Sequence, residues 1–182
     1  MPSRFKQLYN EKITPILMSE FKYASVMQAP RLKKIVINCG VGKLSKEKQV
    51  VDTIFRHISL IAGQKPVMTK AKKSISGFKI RAGMPVGIKV TLRGDRMYDF
   101  LDRLINITLP RTRDFSGISQ GILDGSGNAS IGMKDYSIFP EVSGEEASAS
   151  YPLEITMATS AKTDDEAKKL LEKFGFPFKG LK

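Results

Sequence analysis

Residues 35–50, IVINCGVGKLSKEKQV, run from an apolar stretch (Ile35, Val36, Ile37) into a glycine loop (Gly40, Gly42), then Lys43 and an amphipathic segment. Strand, glycine loop, lysine and helix are the parts of a phosphate cradle. The spacing does not complete one. Counted back from Gly42 and Lys43, the first glycine of a P-loop falls on Ile37, and Leu44 stands where the magnesium-binding hydroxyl belongs. A dinucleotide fingerprint would put its third glycine at Ser45. The glycines therefore read as a tight turn between strand and helix, placed to touch a phosphate of a larger polyanion rather than to hold a nucleotide.

Other catalytic sets are equally incomplete. The chain has one histidine, His57, inside a helical pattern, and one cysteine, Cys39, at a strand end. Neither belongs to a metal-ligand spacing, and Cys39 reads as a small apolar core residue. The carboxylates concentrate in the second half, mostly at helix starts or on exposed faces, without a positioned acid/base pair. No catalytic residue, metal or cofactor is expected, and the chain does not read as an enzyme.

What remains is charge. Net charge is +12 over 182 residues, and it is segregated. Residues 1–93 hold 19 Lys/Arg against 4 Asp/Glu, whereas residues 94–182 hold 11 against 14. Solubility needs no such segregation; a polyanion partner does, nucleic acid before a membrane surface. No apolar run approaches the ~18 residues of a membrane span. The N-terminus lacks the apolar block of a signal peptide, and a single cysteine fits a reducing cytosol.

The elements that must position these groups follow from periodicity. Apolar residues from Phe5 to Phe21 recur at helical spacing across a segment 3–22, interrupted by Pro15, with Thr14 as its N-cap. Strands are expected at 31–39, at 66–70 with a resumption at 78–81, at 86–93 and at 153–160. Helices are expected at 46–62, capped by Ser45 and stopped by Gly63, and at 95–107, capped by Asp95. Thr163, Asp164, Asp165 and Glu166 form a capping box for a last helix. A β-hairpin insertion is expected at about 118–137, around the Asp124–Asn128 turn sequence, and mobile loops at about 70–85 and 142–152. The order is α+β: a ferredoxin-like split β-α-β-β-α-β antiparallel sheet with helices on one face, an inserted β-hairpin, and N-terminal and C-terminal helices. The length suits one RNA-binding domain over 1–182, its other sheet face left for a ligand.

Two features mark that face. Residues 64–93 carry Lys65, Lys70, Lys72, Lys73, Lys79, Arg81, Lys89 and Arg93 without one acidic residue. Cations on a loop suit phosphates, because such contacts need charge and reach more than rigid geometry. Phe78 among them either stacks on a base or plugs the core. On the strands, Lys34 and Asn38 share a parity opposite Ile35 and Ile37, and Thr91 lies with Lys89 and Arg93 opposite Val86, Ile88, Val90 and Leu92. Gln64 follows the helix end. Such polar faces either meet solvent or read RNA.

The blocks RLKKIVINCGVG, AGQKPVMTKAKKSISGFKIRAGMPVGIKVTLRGDRMYDFLDRLINITLPRTRDFSGIS, DGSGNASIGMKD, FPE and TSAKTDDEAKKLL resemble, in order and over nearly the whole chain, ribosomal protein five of the bacterial large subunit. That is the 5S rRNA-binding family of the central protuberance. The resemblance implies a cytoplasmic ribosomal protein of the large subunit that helps attach 5S rRNA to the large rRNA. It also implies contact with peptidyl-site tRNA and with a small-subunit head protein across an intersubunit bridge. It implies a monomer within the ribosome, with no membrane partner. Carried over by motif, Asn38, Gln64, Phe78 and Thr91 are rRNA contacts, with Lys34 and Arg81 on phosphates. The loop carrying Lys70, Lys72, Lys73 and Lys79 resembles the family's tRNA-facing loop. Residues 142–152 lack the family's Asp-Tyr and Arg-Gly-Met elements, and Ser116 stands where arginine is common. The alternative to this reading is a general RNA chaperone without a fixed site.

Overall fold

Pro15 shapes the N-terminal helical run. The structure, a computed structural model, describes residues 3–44, 47–112, 115–142 and 151–179. Within them, helix α1 (Arg4–Leu8) passes through a π turn, Tyr9–Ile13, into α2 (Thr14–Phe21). Proline has no N–H, so position 15 cannot bond the carbonyl four residues back, and the chain widens instead of breaking. The Thr14 hydroxyl donates to the Tyr9 carbonyl at 2.9 Å. Thr14 itself is helical (φ −59°, ψ −48°), so it is not the N-cap its type and position suggest. Pro110 repeats the arrangement. Helix α4 (Gly94–Arg103) runs into a π turn, Leu104–Thr108, and then a 3-10 turn that contains the proline.

Five strands form one sheet: β1 (Leu32–Gly40), β2 (Val67–Lys70), β3 (Pro85–Leu92), β4 (Ala129–Met133) and β5 (Leu153–Thr159), in the order β2-β3-β1-β5-β4. Helix α3 (Lys48–Ala62) links β1 to β2 past β3, and α4 lies in the chain between β3 and β5, which flank β1. This is the expected split β-α-β-β-α-β order, with β4 added at the edge beside β5. Strands β2 and β3 pair antiparallel, with Val67 opposite Lys89 and Thr69 opposite Gly87.

Three details differ from the periodicity. No strand resumes at 78–81: Ser76–Phe78 is a 3-10 turn, Lys79 is left-handed (φ 54°), and only one bridge, Ile75 to Ile80, crosses it. The expected hairpin is reduced to its turn. Leu123 bridges Ala129, but Ile118 pairs with Phe178 instead. The turn is held from outside, since the Asp164 carboxylate accepts from the Gly125 and Gly127 amides at 3.1 and 3.0 Å. Gly127 is required there: at φ 79° a Cβ would lie 2.8 Å from the Ala161 carbonyl oxygen. Finally, α3 begins at Lys48 with Glu47 at the cap position, and Ser45 lies outside the described residues, as does most of the 142–152 loop. Gly63 ends α3 in the left-handed conformation as expected (φ 61°).

The chain packs as two compact units. One comprises residues 1–35, 92–131 and 156–182; the other comprises 36–91 and 132–155. In the first, the Phe174 ring stacks on Phe5 and Tyr9 with centroids 5.6 and 6.1 Å apart, and Tyr98 is tilted against it. Helix α5 (Asp164–Lys173) starts on the expected cap: the Thr163 hydroxyl accepts from the Glu166 amide, and the Glu166 carboxylate accepts from the Lys162 amide at 2.7 Å. In the second unit, Ile37, Cys39, Ile88 and Val90 are buried with Val51, Ile54, Ile58 and Ile61 of α3. That leaves the other face of β1 and β3 to the polar residues.

Candidate nucleic-acid interface

The glycine turn after β1 spends part of its backbone on internal bonds. Its Val41 amide donates to the Val86 carbonyl, and the Leu44 and Glu47 amides donate to Val41 and Leu44 carbonyls, at 2.9–3.0 Å. Amides bonded inside the protein cannot ring a phosphate. Cys39 is fully buried and its thiol is pushed up to about 11 by burial, so it is no nucleophile. His57 is also buried, its Nδ1 2.9 Å from the Tyr136 hydroxyl. Among the described residues no group of histidine, cysteine and carboxylates is placed to hold a metal.

The polar residues of the second unit converge instead on the uncovered strand face. Asn38 of β1 is half-buried, and its Nδ2 donates to Glu154 Oε2 of β5 at 3.4 Å. Gln64, just past α3, donates from Nε2 to the Thr91 carbonyl at 3.4 Å, which ties the helix end to β3. Thr91 keeps its hydroxyl on the uncovered side, in parity with exposed Lys89. Lys34 has the same non-buried parity along β1 but belongs to the first unit. The structure thus brings Gln64 and Thr91 together, and places Asn38 beside a carboxylate absent from the motif-based set.

The connection from β2 to β3 is a folded projection. The Ala71 amide donates to the Met84 carbonyl, Gly83 donates to Ala71, and Ile75 and Ile80 exchange amide bonds at 2.9 and 3.1 Å. The Ser74 hydroxyl accepts from the Ala82 amide at 2.9 Å. Phe78 stands at its tip, 75% exposed, which decides against the core alternative. Lys70, Lys72, Lys73, Lys79 and Arg81 are all exposed, and none pairs with a carboxylate among the described residues. No hydrogen bond or ion pair links this tip to Asn38, Gln64 or Thr91 among those residues. Sequence reasoning passed over Glu154. Nothing local marked Glu154, because its meeting with Asn38 depends on β5 lying next to β1.

Residues 25–81 match the family model for ribosomal protein L5, and residues 85–178 match the companion model for the C-terminus of that ribosomal family. The chain belongs to the L5 family. Its similarity to named members spans nearly its whole length. It is 52% identical over 179 residues to the large ribosomal subunit protein uL5 of Brevibacillus brevis, covering 98% of this chain and 99% of that one. It is 55% identical over 174 residues to uL5 of Thermosipho africanus, covering 96% of each. Against uL5 of Acholeplasma laidlawii the identity is 52%, over 98% of this chain and 99% of that one. As a member of the uL5 family it is a structural constituent of the large ribosomal subunit, incorporated with rRNA and serving translation in the cytoplasm, and not an enzyme. The cationic half and the uncovered polar face are what such a protein needs, since rRNA presents a phosphate surface with base edges behind it.

Proposed function

We propose that this chain binds 5S rRNA through the uncovered face of the second unit and helps attach it to the large rRNA in the central protuberance. In this reading Asn38, Gln64 and Thr91 fix the register on one rRNA loop, and Phe78 stacks on a base. Lys34 and Arg81 neutralise phosphates. The projection carrying Lys70, Lys72, Lys73 and Lys79 faces peptidyl-site tRNA. Contacts with that tRNA, and with a small-subunit head protein across an intersubunit bridge, rest on family membership.

One observation carries the 5S reading. Every cation of the acid-free stretch 64–93 is exposed, and in the second unit Lys65, Lys70, Lys72, Lys73, Lys79, Arg81 and Lys89 share the unit with Asn38, Gln64 and Thr91. Such a surface attracts RNA by charge and retains hydrogen-bonding groups to discriminate with. Filter binding of 5S rRNA against an unrelated structured RNA of equal length tests it. Asn38→Ala or Thr91→Ala weakens 5S binding more than binding to the other RNA; equal losses on both refute specific contacts and favour a chaperone without a fixed site. Lys72→Ala with Lys73→Ala leaves 5S affinity intact if the projection serves tRNA. A large loss of 5S affinity refutes that division.

A further inference from the structure

The projection between β2 and β3 carries a cleft of its own. It is lined by Ser74, Ser76, Lys79, Ile80, Arg81 and Met84, all within the second unit. Its two hydroxyls are not equivalent. Ser74 Oγ accepts from the Ala82 amide at 2.9 Å and ties the two arms of the projection together. Ser76 is exposed, and its hydroxyl bonds to no described residue. Exposed serines elsewhere differ. Ser25 and Ser119 accept from the Met27 and Gly121 amides, and Ser126 lies in the turn whose amides bond the Asp124 and Asp164 carboxylates.

The surroundings of Ser76 are cationic throughout. Lys73 stands three residues before it and Lys79 three residues after, and residues 70–85 hold five Lys/Arg without one Asp/Glu. A cation at a fixed step before a serine is the charge pattern that the acidic groove of a basophilic protein kinase selects. The segment is also easily presented. No residue from 70 to 85 is buried, and the bonds across the tip are those between Ile75 and Ile80 and from the Lys79 amide to the Ser76 carbonyl. Local opening of such a segment exposes little apolar surface.

A phosphate on Ser76 brings a charge of about −2 and three acceptor oxygens into this cleft. Lys79 and Arg81 line the same cleft, exposed and without a carboxylate partner among the described residues. They pair with the phosphate through charge-assisted hydrogen bonds. Cations held in this way are withdrawn from RNA.

We infer that Ser76 is a phosphorylation site for a basophilic protein kinase, and that its phosphate switches off RNA binding by the projection. The γ-phosphoryl group of a nucleoside triphosphate passes to Ser76 Oγ. The new O–P bond forms as the bond to the β-phosphate oxygen breaks, the hydroxyl proton goes to the base of the kinase, and the nucleoside diphosphate leaves. The inference rests on the reading that the projection faces tRNA, and adds how that contact is regulated.

Two experiments on the full-length chain test it. In the first, a purified basophilic serine kinase and MgATP act on the folded chain, and mass spectrometry locates the label. Ser76 is labelled, Ser76→Ala loses the label and melts as the unaltered chain does, and Lys73→Ala is labelled about ten-fold more slowly. Labelling of another serine in place of Ser76, or of Ser76 only after urea denaturation, overturns the site. In the second, chain with phosphoserine encoded at position 76 is saturated with 5S rRNA, and tRNA binding is titrated across KCl concentrations. The phosphate weakens tRNA binding about ten-fold and lowers its salt slope by about 1.4–1.8, the share of two phosphate contacts. Affinity for 5S rRNA falls no further than in Arg81→Ala. Unchanged tRNA binding, or a 5S loss beyond that of Arg81→Ala, overturns the switch. If Lys72→Ala with Lys73→Ala leaves tRNA binding of the unphosphorylated chain unchanged, the tRNA-facing reading fails and takes the switch with it, but not the site.

Discussion

His57 Nδ1 and the Tyr136 hydroxyl meet at 2.9 Å, with each residue only 1% exposed. Burial, with Cys39, Tyr151 and Asp135 nearby, pushes the Tyr136 phenol up to about 12, so it keeps its proton at neutral pH. The single histidine is thus a hydrogen-bonded core residue of the second unit rather than a base. Tyr136→Phe keeps the ring and its stacking on Tyr151 but removes the hydroxyl that His57 Nδ1 meets. Equilibrium urea unfolding should show a loss of about 1–3 kcal/mol. An unchanged midpoint would mean that the pair contributes nothing.

Phe174 ends α5 against the rings of Phe5, Tyr9 and Tyr98, and is 3% exposed. Truncating it removes the common partner of three aromatic residues. Phe174→Ala should cost about 3–5 kcal/mol in urea unfolding, whereas Phe174→Leu, which refills most of the space, costs less.

The Glu166 carboxylate is set by opposing effects. Partial burial raises its pKa, but hydrogen bonds from the Tyr23 hydroxyl (2.6 Å) and the Lys162 amide bring it below its ordinary 4.5. A carboxyl whose pKa is depressed by folding adds stability above its unfolded value and loses it as pH falls through the folded one. The melting temperature should therefore drop as pH falls below 4.5. Glu166→Gln should lower it at neutral pH and flatten that acid limb. An acid limb identical in Glu166→Gln would show that other carboxylates account for it.

Phosphate contacts and register contacts should separate by salt. Each lysine or arginine that neutralises a phosphate contributes about 0.7–0.9 to the slope of log affinity against log salt. Lys34→Ala and Arg81→Ala should each reduce the slope of 5S rRNA binding by that amount. Thr91→Ala should lower affinity and leave the slope alone. Titrations across a range of KCl concentrations decide it, and an unchanged slope in Arg81→Ala removes Arg81 from the phosphate set.

The sequence determined what depends on neighbours along the chain. Alternation in β1 and β3, the helical period of α3, the Gly63 stop and the Thr163 cap are local, and they appear where the pattern places them. The failure of the Gly40–Lys43 loop as a phosphate cradle was also legible, because that motif is a matter of spacing. Where local rules compete with a covalent or tertiary constraint, the pattern misleads. Thr14 looks like a cap, but Pro15 is absorbed by a π turn, and the 118–137 segment looks like a hairpin, but Ile118 finds Phe178.

The family and its polyanionic partner class were therefore written in the chain, as motif blocks and segregated charge. Only the tertiary structure decided which polar groups meet. Phe78 is equally at home in a core or on a base until the projection that carries it is seen to hold it outside. Glu154 stands 116 positions from Asn38, and no local period relates them. They touch because the sheet order puts β5 beside β1, and that order follows from burying the apolar faces of two crossover helices, a long-range consequence of packing.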